Sequence, residues 1–182
     1  QAVEIDPDYG QSWAWIGLTL IEAASYGNMR AHDVYPRARE VATRALAIDE
    51  SIADAHAVLG ATACNYDLDF ETAEAHVVRA VQLDPASPAT RLVYWWLLSI
   101  LKRHEEAEAQ IEMACELDPL WCMARSYHAL AAILSGDLER ALELCERARK
   151  LDPGHALPHF IDGLALRELG RADESTAALE RA

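Results

Sequence analysis

Histidine and cysteine are the side chains in this sequence best suited to chemistry, and their spacing argues against a reaction centre. Of the seven histidines, His155 and His159 stand four apart, a spacing that sets two metal ligands on one helix face. Pro158 lies between them near a helix start and no third ligand is in view, so no metal is expected. His56 and His128 fall on packing faces, where a hydrogen-bonded core role is expected. The four cysteines, Cys64, Cys115, Cys122 and Cys145, form no CxxC pair and no zinc spacing. Cys115 and Cys122 flank a turn; all four read as small buried hydrophobes of a reducing compartment. The run Glu105-Glu106-Ala107-Glu108 reads as a solvated face rather than an acid/base pair. The chain has no P-loop, dinucleotide fingerprint or nucleophile elbow. The expectation is no enzyme, no cofactor and no catalytic residue.

Composition narrows the class further. The 182 residues carry 16 Lys+Arg against 30 Asp+Glu, a formal charge of -14. Nucleic acids and anionic membranes are polyanions and would be repelled, so neither is an expected partner of this segment. Hydrophobic residues make up 52%, which is ample material for a core and argues against disorder. The longest apolar run, Leu92 to Leu101, is broken by Ser99 and is far short of the ~20 residues of a membrane helix. The chain opens without Met and without a basic-then-apolar leader, so no signal peptide is expected, and the location expected is the cytoplasm.

The elements that must position any site come from a repeat. An aliphatic residue, Asp and usually Pro recur as Ile5-Asp6-Pro7, Ile48-Asp49-Glu50, Leu83-Asp84-Pro85, Leu117-Asp118-Pro119 and Leu151-Asp152-Pro153. The aspartates are separated by 43, 35, 34 and 34 residues, so the first interval holds a nine-residue insertion. Proline is the punctuation, because it cannot continue a helix and disfavours helical geometry in the residue before it. After it the sequence predicts a first helix (Ala53 to Asn65, Cys122 to Ser135), a turn such as Ser135-Gly136-Asp137, and a second helix with apolar residues at helical spacing. No stretch alternates as a strand would. Small residues recur where the two helices must approach: Gly17, Gly60, Ala129 and Gly163 in first helices. In second helices they are Ala pairs seven apart, Ala38/Ala45, Ala73/Ala80, Ala107/Ala114 and Ala141/Ala148.

These residues resemble the tetratricopeptide repeat (TPR). Trp13, Ile16, Gly17 and Leu20 with Ala38, Ala42 and Ala45 make the clearest match. Leu59-Gly60 with Ala73, Val77, Ala80 and Pro85 follow, then Tyr94 and Leu98 with Ala107, Ile111, Ala114 and Pro119, then Ala129 with Ala141, Cys145, Ala148 and Pro153. The last has Gly163, Leu166, Leu179 and Ala182. The resemblance implies an all-α, right-handed superhelix, a solenoid of about five antiparallel helix-turn-helix repeats. The divisions are 8–50 with the insertion, 51–85, 86–119, 120–153 and a truncated 154–182, after the end of a repeat at 1–7. Four features depart from the pattern. His56, Arg91, Arg125 and His159 stand in the aromatic slot of the first helix. Trp95 fills the small-residue slot of the third repeat, so that hairpin is expected to be splayed or packed differently. Ser175 replaces the first Ala of the last repeat, and Glu50 replaces Pro.

A narrower likeness is carried by Asn65-Tyr66-Asp67-Leu68-Asp69-Phe70 and by Asp33-Val34-Tyr35-Pro36-Arg37-Ala38. They are similar to segments of bacterial signalling proteins whose repeat array follows a winged-helix, nucleotide-cyclase or Ser/Thr-kinase domain. The chain starts inside a second helix (Gln1 to Ile5) and stops inside another (Glu180 to Ala182), without a polar cap. A segment of a longer regulatory protein is therefore expected.

The resemblance places the first helices on a concave face. One stripe there, Ala14/Leu18, Ala57/Ala61, Leu92/Trp96, Ser126/Leu130 and Phe160/Leu164, is almost wholly apolar. The Lys, Asn and Arg that clamp a terminal carboxylate in some relatives are missing, which excludes that mode. The third first helix, Arg91 to Leu101, is apolar nearly all round and is expected either to be buried on every side or to offer Leu92 and Trp96 to a partner. The expected contact residues are Leu18, Leu92, Trp96, Ser126, Leu130, Phe160 and Leu164, with Tyr26, Met29 and Arg30 of the insertion as a second candidate. Residues 49–118 hold 14 acids and 4 bases, whereas 119–151 hold 4 and 5. The expected partner is a protein or peptide with an apolar strip and basic flanks. Homo-oligomerisation, and small-ligand sensing coupled to an attached effector, stay open as alternatives.

Overall fold

A computed structural model describes residues 3, 6–25 and 29–182. The described residues contain ten α-helices and no strand. They are α1 (Gly10–Ser25), α2 (Ala31–Ile48), α3 (Ala53–Thr62), α4 (Phe70–Leu83), α5 (Pro88–Ile100), α6 (His104–Leu117), α7 (Cys122–Leu134), α8 (Leu138–Leu151), α9 (Ala156–Glu168) and α10 (Ala172–Leu179). The chain forms two compact units, Gln1–Leu97 and Leu98–Ala182. The first holds the α1–α2 and α3–α4 hairpins, the second the α7–α8 and α9–α10 hairpins. The Gln1–Ile5 helix end expected from sequence falls on residues of which only Val3 is described.

The recurring aspartates explain the joints between repeats. Asp49, Asp84, Asp118 and Asp152 each end a second helix, and their N–H groups donate to the carbonyls of Ala45, Ala80, Ala114 and Ala148. Their carboxylates then accept from the N–H two residues on, those of Ser51, Ala86, Leu120 and Gly154, at 2.8, 3.1, 3.1 and 3.1 Å. This side-chain turn replaces the next helical hydrogen bond and redirects the chain. Glu50 can therefore replace Pro without losing the joint.

The odd occupants of the aromatic slot share one function. Trp13 Nε1 donates to the carbonyl of Pro7 at 2.9 Å, Arg91 Nη2 to Pro85 at 3.2 Å and Arg125 Nε to Pro119 at 2.8 Å. His56 Nε2 lies 3.3 Å from the Glu50 carbonyl and His159 Nε2 3.4 Å from that of Pro153. In all five repeats an N–H satisfies a carbonyl six residues upstream that the helix end would leave unpaired.

Turns inside the hairpins repeat as regularly. Leu68, Lys102, Gly136 and Gly170, each 34 apart, have φ of 57, 59, 85 and 75°. Leu68 and Lys102 adopt a left-handed geometry that glycine takes at no steric cost. The closing bonds run from Arg103, Asp137 and Arg171 N–H to carbonyls five residues back, but from Asp69 to Ala63, six back. That extra residue is the one that makes the second interval 35. It is absorbed in a π-helical turn, Ala63–Asp67, continuing α3. The nine-residue insertion of the first repeat lengthens both helices: α1 has 16 residues and α2 has 18, against 13 and 14 in the fourth repeat.

Packing follows the small residues. In the first unit, fully buried Ala14, Ala38, Ala42, Ala45, Ala55 and Val58 form one cluster, edged by Trp13, Leu18 and Ile21. In the second, Ala129, Ala132, Ala141, Cys145, Ile161 and Ala165 do the same. Every Ala of the four second-helix pairs is at most 2% exposed. The Trp95 ring, in a slot expected to be small, is 1% exposed. All four cysteines are buried and free of disulfides. Burial pushes the thiols of Cys64 and Cys115 up to about 11 and that of Cys145 to about 12, which makes them poor nucleophiles.

Candidate functional site

The residues expected to meet a partner divide by exposure. In the first unit Leu18 and Leu92 are half-buried, whereas Trp96 is 41% exposed. In the second unit Leu130 and Leu164 are half-buried and Phe160 is 47% exposed. Ala14, Ala57 and Ala61, upstream members of the stripe, are buried. Ser126 must be corrected: it is 0% exposed, and its hydroxyl donates to the Cys122 carbonyl at 2.8 Å. A short side chain bonded back onto its own helix cannot reach a partner. Of the insertion candidates, Tyr26 lies outside the described residues, while Met29 and Arg30 are exposed, Arg30 at the start of α2.

Helix α5 is neither buried all round nor open all round. Trp95, Leu97 and Leu98 are buried, and Trp96 opens to solvent. The Trp96 indole N–H donates to Asn65 Oδ1 at 2.8 Å, and its ring centroid lies 5.9 Å from that of Trp95. Asn65 sits in the π-helical turn and also hydrogen-bonds the Tyr35 hydroxyl. Burial pushes the Tyr35 phenol up, and that bond partly opposes the shift. Tyr35 stacks on exposed Tyr66 with centroids 5.6 Å apart, and Arg39 pairs with Asp67. Asn65 and Tyr66 were not singled out from sequence as contact residues. The signal for them was the one-residue excess in the second interval, because π-turns often mark functional positions.

Four histidines serve helix starts or pack in a pair. His155 Nδ1 accepts from the Leu157 N–H at 3.2 Å and His159 faces the Pro153 carbonyl, so both serve helix starts. His56 and His76 meet Nδ1 to Nδ1 at 3.0 Å. His56 Nε2–H serves Glu50, so its Nδ1 accepts and His76 Nδ1–H donates. Burial holds both rings below the ordinary histidine pKa; the Glu50 carbonyl opposes this at His56, and each ring also feels a nearby cation or ring, Arg79 for His56 and His56 for His76. Their folded pKa values therefore lie below the unfolded value of about 6.5, so the unfolded chain binds more protons in that window. Stability is full above that value and is expected to fall as pH drops through the lower folded values. Urea midpoints should decline between about pH 7 and about pH 5, and His76→Gln should flatten the decline. Asp49, Asp69 and Glu106 are held below their usual range by hydrogen bonds and lose their contribution only at lower pH. A midpoint that stays level across the window would sink this account.

No family model matches the chain, and no curated protein matches it. Solved structures do. The Pseudomonas aeruginosa PilF structure superposes with a TM-score of 0.75 at 20% identity, covering 96% of this chain and 75% of that one. YrrB, described as a TPR protein with an unusual peptide-binding site, gives 0.61 at 18%, covering 99% and 88%. MamA gives 0.64 at 20%, covering 84% and 88%. The chain has the tetratricopeptide-repeat fold. Among its described residues no TPR helix is long and apolar enough to cross a membrane.

Proposed function

We propose that this TPR segment is a protein- or peptide-binding module of a larger regulatory protein, and not an enzyme. The observation that carries the reading is Trp96: a large aromatic ring, open to solvent, with its polar edge already hydrogen-bonded to Asn65. A ring fixed in this way loses little rotamer freedom on binding, and tryptophan is a common interface anchor. Leu18 and Leu92 add apolar area in the same unit. Leu130, Phe160 and Leu164 offer a second strip. Residues 49–85 hold eight acids and one base, which favours a partner with basic flanks.

The test uses a panel of capped 15-residue peptides bearing Leu anchors at helical spacing with Lys or Glu flanks. Micromolar binding of the Lys set, weakened by salt, is expected. Trp96→Ala should weaken it by ~2 kcal/mol, about thirtyfold, with helix content unchanged. Silence across the panel, or an unaltered affinity for the variant, removes the reading.

A further inference from the structure

A second cluster, in the Leu98–Ala182 unit, has no part in that reading. Glu108 and Glu112 lie one turn apart on α6, and His128 reaches them from α7. One ligand atom from each of the three lies within 4.8 Å of the others. Arg140, from the first turn of α8, places Nη2 2.7 Å from Glu108 Oε1, 3.2 Å from Glu112 Oε1 and 3.0 Å from His128 Nε2. A single cationic nitrogen thus occupies the common focus of two carboxylates and an imidazole.

We propose that Glu108, Glu112 and His128 form a binding site for a divalent transition ion of the zinc class, for which Arg140 is the built-in competitor. The donor set supports that class: two oxygens and one imidazole nitrogen suit zinc, nickel or cobalt, whereas calcium and magnesium call for more oxygens. The separations support it too. Donors on a tetrahedral ion with bonds of about 2.1 Å stand about 3.4 Å apart. His128 Nε2 lies 3.1 Å from Glu108 and 4.0 Å from Glu112, which brackets that distance. Charge favours exchange, because one guanidinium leaves two carboxylates with a net negative charge that a divalent ion cancels. Glu108 and His128 are largely buried side chains, 21% and 12% exposed, so two of three donors are held in place. Arg140 is more open, and its flexible stem lets the guanidinium leave to solvent. Water would complete the coordination.

The experiment is calorimetric titration of zinc chloride into the full chain, repeated with cobalt(II) and read by visible absorption. Wild type should bind one ion, Arg140→Gln should bind at least tenfold more tightly, and His128→Ala at least tenfold more weakly, without the cobalt band. Circular dichroism checks that each variant is folded, and Glu112→Gln stands in for His128→Ala if that one is not. Equal binding by wild type and the ligand variants means an adventitious ion only and overturns the site. Binding confined to Arg140→Gln also overturns it, because Arg140 then holds the position against the metal.

Discussion

Replacing Trp95 with alanine, the size of residue that the repeat pattern favours at that slot, is expected to destabilise the Gln1–Leu97 unit by about 3–5 kcal/mol. The ring is 1% exposed and is the largest fully buried side chain. Its removal loses the transfer free energy of an indole and leaves a void that neighbouring helices can fill only in part. Here the third repeat has been built around the large ring, so moving toward the common pattern moves away from stability. Urea denaturation followed by far-ultraviolet circular dichroism measures it. A loss under about 1 kcal/mol would mean that the site collapses onto the space and that Trp95 is not a packing element.

Gly60→Ala is expected to destabilise by about 1–3 kcal/mol, although alanine inside a helix ordinarily gains close to 1 kcal/mol over glycine. An added Cβ would sit 2.5 Å from Val77 Cγ2, 3.2 Å from the Ala73 carbonyl oxygen and 3.3 Å from the Val77 nitrogen. Val77 is fully buried and β-branched, and the other two atoms are backbone, so only a separation of α3 from α4 can make room. Gly163 provides the control. Its added Cβ would meet Leu179 Cδ2 and Cγ at 2.7 Å, but Leu179 is 41% exposed and can change rotamer. Gly163→Ala should stay within about 0.5 kcal/mol of the parent. Equal urea midpoints for the two variants would refute the distinction.

The fold was legible because its signals are short-range. The aspartate phrase, the punctuating prolines and the seven-residue alanine spacing each act within one or two turns, and the helices fall between them. Gly136 and Asp137 also take the roles their types suggest, with φ of 85° at the glycine and a 3.1 Å bond from the Arg140 N–H to Asp137. The candidate site was legible only in outline. Helical periodicity assigns Ser126 and Phe160 to one stripe, yet it cannot say that a serine hydroxyl will turn back to its own helix while phenylalanine projects. Nor does it show that Glu108, Glu112, His128 and Arg140, spread over three helices, meet at one nitrogen. Reading Glu105-Glu106-Ala107-Glu108 as a solvated face was correct for Glu105 and Glu106, which are exposed, and incomplete for Glu108. Asn65 was hidden because its role depends on a π-turn, and one surplus residue does not announce where in a helix it will be taken up.

The five donors in the aromatic slot have a consequence for what the repeat requires there. Tryptophan, histidine and arginine share neither size nor charge, but each delivers an N–H to the same carbonyl six residues upstream. The position therefore calls for reach and hydrogen-bonding sense rather than one residue type, and three types fill it in this chain without opening a joint. The joint is thus kept by a bond that several side chains can make, and the aromatic signature is not what holds the architecture together.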